Sequence, residues 1–397
     1  MDYDFLSRNF SSNAQSAVVA FRKAIEEVEP PEAELEALCG RLTQFNHCRD
    51  LDQDFIIAGV DGSGEFPIIH QDDVFMHFVV SSGAIFETCT KRQHKLSVRD
   101  IPGGMYTGFV NLRDFDDAVQ NGYRHYLHEL LSISLNELTD GSDYCAVYSA
   151  QGRGELPAGV LTWDQAKFSK ASQIATHAYI IRSMAELAMA VRCLKANPKY
   201  LLLDTSLSLF LLGEIVYLPE ILKRYLICKA NAQETGVFGL CKSHGIPNGD
   251  LLGRWAAERY NAKDHWFLRL PSESLGEERP SFLRDREVPP KLGVSYLFKF
   301  HEMSFPMRLD MDAGWWREHI SGDLERETTL FQDLDYTCHD VRSYGYPYPL
   351  HSAHRKSSLT SKERRALRDI LFQFASKEGI LRGAFMRSQE EIHQAGV

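Results

Sequence analysis

Three short apolar runs constrain this chain more than anything else in its sequence: Phe55–Val60, Tyr200–Leu203 and Gly236–Cys241. Each is too short for a buried helix and lacks the alternation of a strand with one wet face. Runs of this kind form strands covered on both sides, so helices must pack above and below the sheet. The first leads into Asp61-Gly62-Ser63-Gly64, which reads as a tight turn, the second into Asp204, and the third into Lys242-Ser243-His244. Val74–Cys89 supplies one or two further strands with Gly83 as a candidate bulge, and Val294–Leu309 alternates as a strand pair.

Helical spacing fills the intervals. Residues 12–45 carry Val18, Phe21, Ile25 and Val28 three and four apart, and Pro30-Pro31 divides the stretch into two helices. Residues 114–138 read as a helix and 141–165 as a Gly-containing connection with some strand character. Residues 166–196 form a long helix stopped by Asn197-Pro198, and 217–231 form another. The polar stretch 271–291, with four prolines, reads as a surface loop or insertion. Thr360-x-x-Glu363 is a capping box that starts a C-terminal helix. The expected architecture is α/β: a mixed sheet core flanked by helices, with helical N- and C-terminal additions. Its boundaries fall at 1–50 for the N-terminal extension, 51–370 for the main domain and 371–397 for the tail.

Among 397 residues, 44% are hydrophobic and 25% charged, enough for a sizeable core without disulfide or metal staples. The start has no basic segment followed by an apolar one, so no signal peptide is expected. Leu201–Leu218 is interrupted by Asp204 and Glu214, which excludes a membrane span there and leaves a cytoplasmic protein as the expectation. Eight cysteines at 39, 48, 89, 145, 193, 228, 241 and 338 include no C-x-x-C pair, so no zinc or iron–sulfur motif is expected. The net charge of −10 argues mildly against nucleic acid, yet one groove can still be lined with Lys and Arg. No P-loop, dinucleotide fingerprint, nucleophile elbow, H-E-x-x-H or kinase signature is present.

Asp61 and Asp204 follow buried runs, where a carboxylate is costly unless it is paired, hydrogen-bonded or bound to a cation. Carboxylates from adjacent strands suit hard cations such as Mg²⁺ or Mn²⁺, and an Asp capping a turn would look the same. Glu186, on the long helix before Asp204, reads as either a third acid or a solvent-facing partner of Arg182. Gly345-Tyr-Pro-Tyr-Pro-Leu-His-Ser-Ala-His354 gathers two tyrosines and two histidines on a proline-stiffened path, suited to a metal or phosphate or to a rigid aromatic loop. Arg355, Lys356, Lys362, Arg364, Arg365 and Arg368 then form the most basic stretch, a phosphate-contacting face or a solvated helix. Lys242 and His244 either face the same cleft or sit in a surface loop.

In order, Ile57-Ala-Gly-Val-Asp-Gly-Ser63, Leu201-Leu-Leu-Asp-Thr-Ser-Leu207, Gly239-Leu-Cys-Lys-Ser-His244 and Gly345–His354 resemble the motifs of the NurA nuclease family over roughly residues 50 to 370. The resemblance implies a ribonuclease H-like core that degrades DNA with Mn²⁺ or Mg²⁺, as a homodimer alongside a HerA-type hexameric ATPase in DNA end resection. It implies metal-binding roles for Asp61, Glu186, Asp204 and His354, with Tyr346 completing the catalytic set. Lys242, His244, Arg355, Lys356, Arg364 and Arg368 are the candidate DNA contacts. Thr205 stands where the family more often has Gly, which puts the local turn in question. The setting the resemblance implies is repair or anti-phage defence. The alternatives are a catalytically inactive assembly subunit docking on the ATPase ring, which would be free to lose these acids, and a related nuclease acting on RNA.

Overall fold

The computed structural model of the protein describes residues 13–21, 23, 32–47, 51, 53–71, 74–89, 97–100, 104–111, 170–207, 218–284, 288–290, 292–338 and 345–380. Among the described residues, ten strands form one sheet: β1 (Thr43–Gln44), β2 (Ile56–Gln71), β3 (Val74–Glu87), β4 (Ser97–Asp100), β5 (Gly104–Asn111), β6 (Tyr200–Leu203), β7 (Gly236–Cys241), β8 (Trp266–Arg269), β9 (Gly293–Lys299) and β10 (Met307–Asp312). The order is β1-β8-β9-β10-β7-β6-β2-β3-β4, with β5 also paired to β3. Only β2–β6 and β6–β7 are parallel, and they are built from the three apolar runs. The other pairs are antiparallel.

Besides a helical stretch over 13–21, the described helices are α1 (Glu32–Cys39), α2 (Lys170–Leu194), α3 (Leu218–Asn231), α4 (Gly249–Arg259), α5 (Ala313–His319), α6 (Leu324–Tyr336), α7 (Tyr348–Ser357) and α8 (Ser361–Lys377). Side chains alternate across a strand, so β2 and β3 show two helices opposite faces. A Cβ on Gly59 would strike α7, whereas one on Gly62 or Gly83 would strike α2. On the α7 face, α5, α6 and α7 close a large core in which Phe267 stacks on Phe331 at 4.3 Å. Near β8, α1 and α4 cover the opposite face around Trp266, Leu268 and Leu297.

The structure changes several expectations. Asp61-Gly62-Ser63-Gly64 is no turn: β2 continues to Gln71, and these residues pair in register with Ser82, Ser81, Val80 and Val79. The ladder offered by β3 outweighs the local turn signal, and Asp61 sits within a strand. Gly83 lies in regular register opposite Val60, and the irregularity falls between Glu65 and Ile69. What Gly83 provides is room for Cys193 and Met189 of α2. Val294–Leu309 spans strands β9 and β10, but β10 is buried at all six positions because both its faces are covered. The described residues of 271–291 carry two 3₁₀ turns and put Ser272, Leu283 and Val288 inside, so they are part of the packed body. Residues 43–44 join the sheet edge, and α8 runs through position 370. The helix expected over 114–138 and the connection over 141–165 lie outside the described residues.

Candidate metal centre

Val60, Leu203 and Gly239 lie level on β2, β6 and β7, so the next residues of the first two strands, Asp61 and Asp204, emerge side by side. The Asp204 amide donates to the Val60 carbonyl at 3.1 Å, extending the ladder by one rung. Asp61 is 4% exposed. Beyond Asp204 the chain crosses directly over Gly239, where any Cβ would lie 2.4 Å from the Leu207 nitrogen. The buried Asp310 holds this crossing from below, accepting from the Leu207 amide at 3.3 Å and from Ser295 Oγ at 2.6 Å, with Arg308 at 3.1 Å. Thr205 is not among the positive-φ residues, so this turn has no need of Gly at that position.

Helix α7 brings the third group. The chain turns through Gly345 (φ +72°), Pro347 starts the helix and Pro349-Leu350 packs on Gly59. One turn further on, His354 Nδ1 lies 2.7 Å from Asp61 Oδ2 and 3.9 Å from Asp204 Oδ2. Ser357 Oγ donates to the same Asp61 oxygen at 3.0 Å, and Ser358 Oγ lies 3.2 Å from His354 Nε2. One donor atom each from Asp61, Asp204 and His354 falls within a 4.8 Å cluster. Lys242 Nζ donates to Asp204 Oδ2 at 2.7 Å and lies 4.7 Å above the Tyr346 ring. Burial pushes the Tyr346 phenol far above its ordinary range, and Asp204 and Asp61 push it further.

Glu186 approaches from the opposite face beside Gly62, where a Cβ would lie 2.5 Å from its Oε1, but it is not among the three residues whose ligand atoms fall within 4.8 Å of one another. Arg182 does pair with Glu186, Nε to Oε1 at 2.8 Å, but the pair does not face solvent, since the Glu186 side chain is 14% exposed. Arg182 also lies 3.9 Å from Asp61 Oδ1. Burial raises the Glu186 carboxyl to about 7, Arg182 opposes the shift, and Asp61 and Asp204 add to it. A carboxyl raised on folding makes the native state hold more protons than the unfolded chain between about pH 4.5 and about 7. Stability of the chelated protein therefore falls across that window as pH rises, by up to roughly 3 kcal/mol. Thermal unfolding in EDTA from pH 5 to 8 should show the loss, and Glu186→Gln should flatten it. An equal slope in both proteins would refute the assignment.

The remaining candidates are placed as follows. His244 faces Asp250 at 3.2 Å and accepts from the Ile246 amide at 3.0 Å, so its ring pins the loop entering α4. Arg355 and Lys356 are exposed in the last turn of α7. The capping box of α8 forms as its sequence requires, with Arg364 exposed and Arg368 half-buried. Sequence reasoning missed Ser357 and Asp310. Ser357 carries a signal, being three residues from His354 on a helix, whereas Asp310 sits in an apolar strand with nothing local to mark its task.

Oxygen donors with one imidazole fit Mg²⁺ or Mn²⁺. No protein-family model matches the chain, and no curated protein does. Among solved structures, the NurA nuclease from Sulfolobus solfataricus matches with a TM-score of 0.51 at 11% identity, covering 95% of this chain and 98% of that one. A NurA structure bound to dAMP and manganese matches at 0.36 and 10% identity, covering 91% and 95%. Endonuclease V from Ciona intestinalis matches at 0.30 and 12%, covering 85% and 96%. The first of these establishes the fold: an α/β, ribonuclease H-like architecture similar to NurA along nearly the whole chain.

Proposed function

We propose that the protein is a divalent-metal-dependent deoxyribonuclease. The observation that carries this reading is the meeting of Asp61, Asp204 and His354 within 4.8 Å, with Glu186 beside them, on this fold. Asp61, Asp204, His354 and Glu186 would hold Mn²⁺ or Mg²⁺, which would act as a Lewis acid on the scissile phosphodiester and the attacking water. Ser357 and Ser358 fix the orientations of Asp61 and of the His354 ring. Arg182 fixes the Glu186 carboxylate, Nε to Oε1 at 2.8 Å. Lys242, held between Asp204 and the Tyr346 face, presents an ammonium to a phosphate oxygen. Degradation of linear and circular DNA, and of RNA, in Mn²⁺, Mg²⁺ or EDTA tests the reading. Cleavage in excess EDTA would refute metal dependence, and RNA cut in preference to DNA would refute the substrate.

The DNA path is assigned to α8, which begins shortly after the α7 turn that carries His354. Its apolar side, Leu367 and Leu371, packs on Phe78 and Val80, and Arg364 and Arg368 flank that side one turn apart. Arg364→Ala with Arg368→Ala should weaken DNA binding and flatten its salt dependence by about one log–log unit per lost phosphate contact. Titrations at several salt concentrations check this, and binding equal to wild type at each would leave α8 a solvated face. We further propose a cytoplasmic homodimer working with a HerA-type hexameric ATPase in repair or anti-phage defence. That rests on the motif resemblance and the shared fold, and independent elution of the two proteins at low salt would remove it. Among the described residues, no helix is long and apolar enough to cross a membrane.

A further inference from the structure

We propose that His47, His265 and Asp335 form a second metal site, selective for zinc and separate from the carboxylate centre. His47 lies just after β1, His265 just before β8 and Asp335 near the end of α6. One ligand atom from each falls within 4.8 Å of the others. His47 Nδ1 is 3.0 Å from Asp335 Oδ2, and His265 Nε2 is 3.5 Å from Asp335 Oδ1. Zinc with bonds of about 2.0–2.2 Å places neighbouring ligand atoms about 3.3–3.5 Å apart, so small side-chain movements suffice. The sheet order sets β8 four strands from β6, about 19 Å at the usual strand spacing, so the two centres share no ligand.

Three observations favour a cation over a plain ion pair. Asp335 is fully buried, and one imidazolium would neutralise it, yet two imidazoles converge on its two oxygens with ring centroids 5.1 Å apart. The far nitrogen of His265, Nδ1, lies 3.4 Å from Asp264 Oδ1, the carboxylate–histidine arrangement that fixes tautomer and ring orientation at zinc sites. His265 also holds a left-handed backbone at φ +48°, which a side-chain role at that spot would justify. Two nitrogens and one oxygen suit zinc better than Mg²⁺, which prefers oxygen throughout. The His47 side chain is a third exposed, which would leave a fourth position open to water. Bound there, zinc clamps the edge strand β1, already tied by the Phe45 amide to the His265 carbonyl at 2.9 Å, onto α6. Residues 47, 265 and 335 are too far apart in sequence for any spacing motif to reveal this.

The test uses full-length Asp61→Asn protein, which weakens the first centre, dialysed against Zn²⁺ in millimolar Mg²⁺. The expected result is one zinc per chain and a raised Tm. Adding His47→Gln and His265→Asn, the latter because Asn tolerates the left-handed backbone, should cut bound zinc at least tenfold and abolish the Tm rise. With Asp61 intact, the same pair should still cleave DNA in Mn²⁺, which keeps this site's failure distinct from that of the nuclease reading. X-ray absorption of the zinc-loaded Asp61→Asn protein gives a second readout that needs no further variant: two imidazoles bind the metal here, against one at the first centre. Zinc undiminished in the triple variant, no zinc in Asp61→Asn, or fewer than two imidazoles would each overturn the proposal.

Discussion

Asp61→Asn should leave a folded protein whose DNA cleavage in Mn²⁺ or Mg²⁺ falls at least about a thousandfold, roughly 4 kcal/mol of barrier. Asp61 is the buried hub of the site: one oxygen takes the Ser357 hydroxyl and the His354 ring, and the other faces Arg182. An amide keeps the shape and one acceptor oxygen but loses the charge that a hard cation needs. Its NH₂ group also offers a donor to a neighbourhood built to donate. Stability should not follow activity down. Removing one negative charge from beside Glu186 relieves a repulsion that helps raise the Glu186 carboxyl, so Tm in EDTA should stay level or rise. Rates on end-labelled DNA and unfolding in EDTA check both halves. Full cleavage by the variant would end the assignment of Asp61, and a collapsed Tm would recast it as a structural residue.

The parts of this arrangement legible from the chain were those in which local pattern and tertiary position agree. Tyr200–Leu203 is apolar because it is the covered centre of the sheet, and Asp204 marks its end in sequence as in space. Asp61 is visible as a costly acid, but its strand setting is not, because a strand partner in 74–87 can hold Asp-Gly-Ser-Gly extended against its own turn preference. Glu186 carried no mark among many helix acids. What singles it out is the missing side chain at Gly62, a relation between residues more than a hundred positions apart. The His47, His265 and Asp335 cluster was invisible for the same reason, and a search by cysteine spacing passes over it.

Gly59→Ala and Gly62→Ala, three residues apart on one strand, should fail in different ways. In Gly59→Ala the new methyl would arrive 2.5 Å from the Pro349 carbonyl carbon, 2.6 Å from the Leu350 nitrogen and 2.7 Å from the Pro349 oxygen. These are backbone atoms of α7, so only movement of the helix relieves the clash, at a cost of about 1–3 kcal/mol. That movement carries His354 away from Asp61, so the variant should lose both stability and cleavage. In Gly62→Ala the methyl meets the Glu186 side chain instead, 2.5 Å from Oε1 and 2.6 Å from Cγ. A side chain can swing aside, so the stability change should stay below about 1 kcal/mol. The displaced carboxyl then leaves its place beside the cluster, and with it go both the pH-dependent loss of stability in EDTA and much of the cleavage rate. Urea unfolding beside initial rates separates the two. If Gly59→Ala is as stable as wild type, α7 does not rest on that glycine. If Gly62→Ala cleaves DNA at full rate, Glu186 belongs to the frame of the site and not to its chemistry.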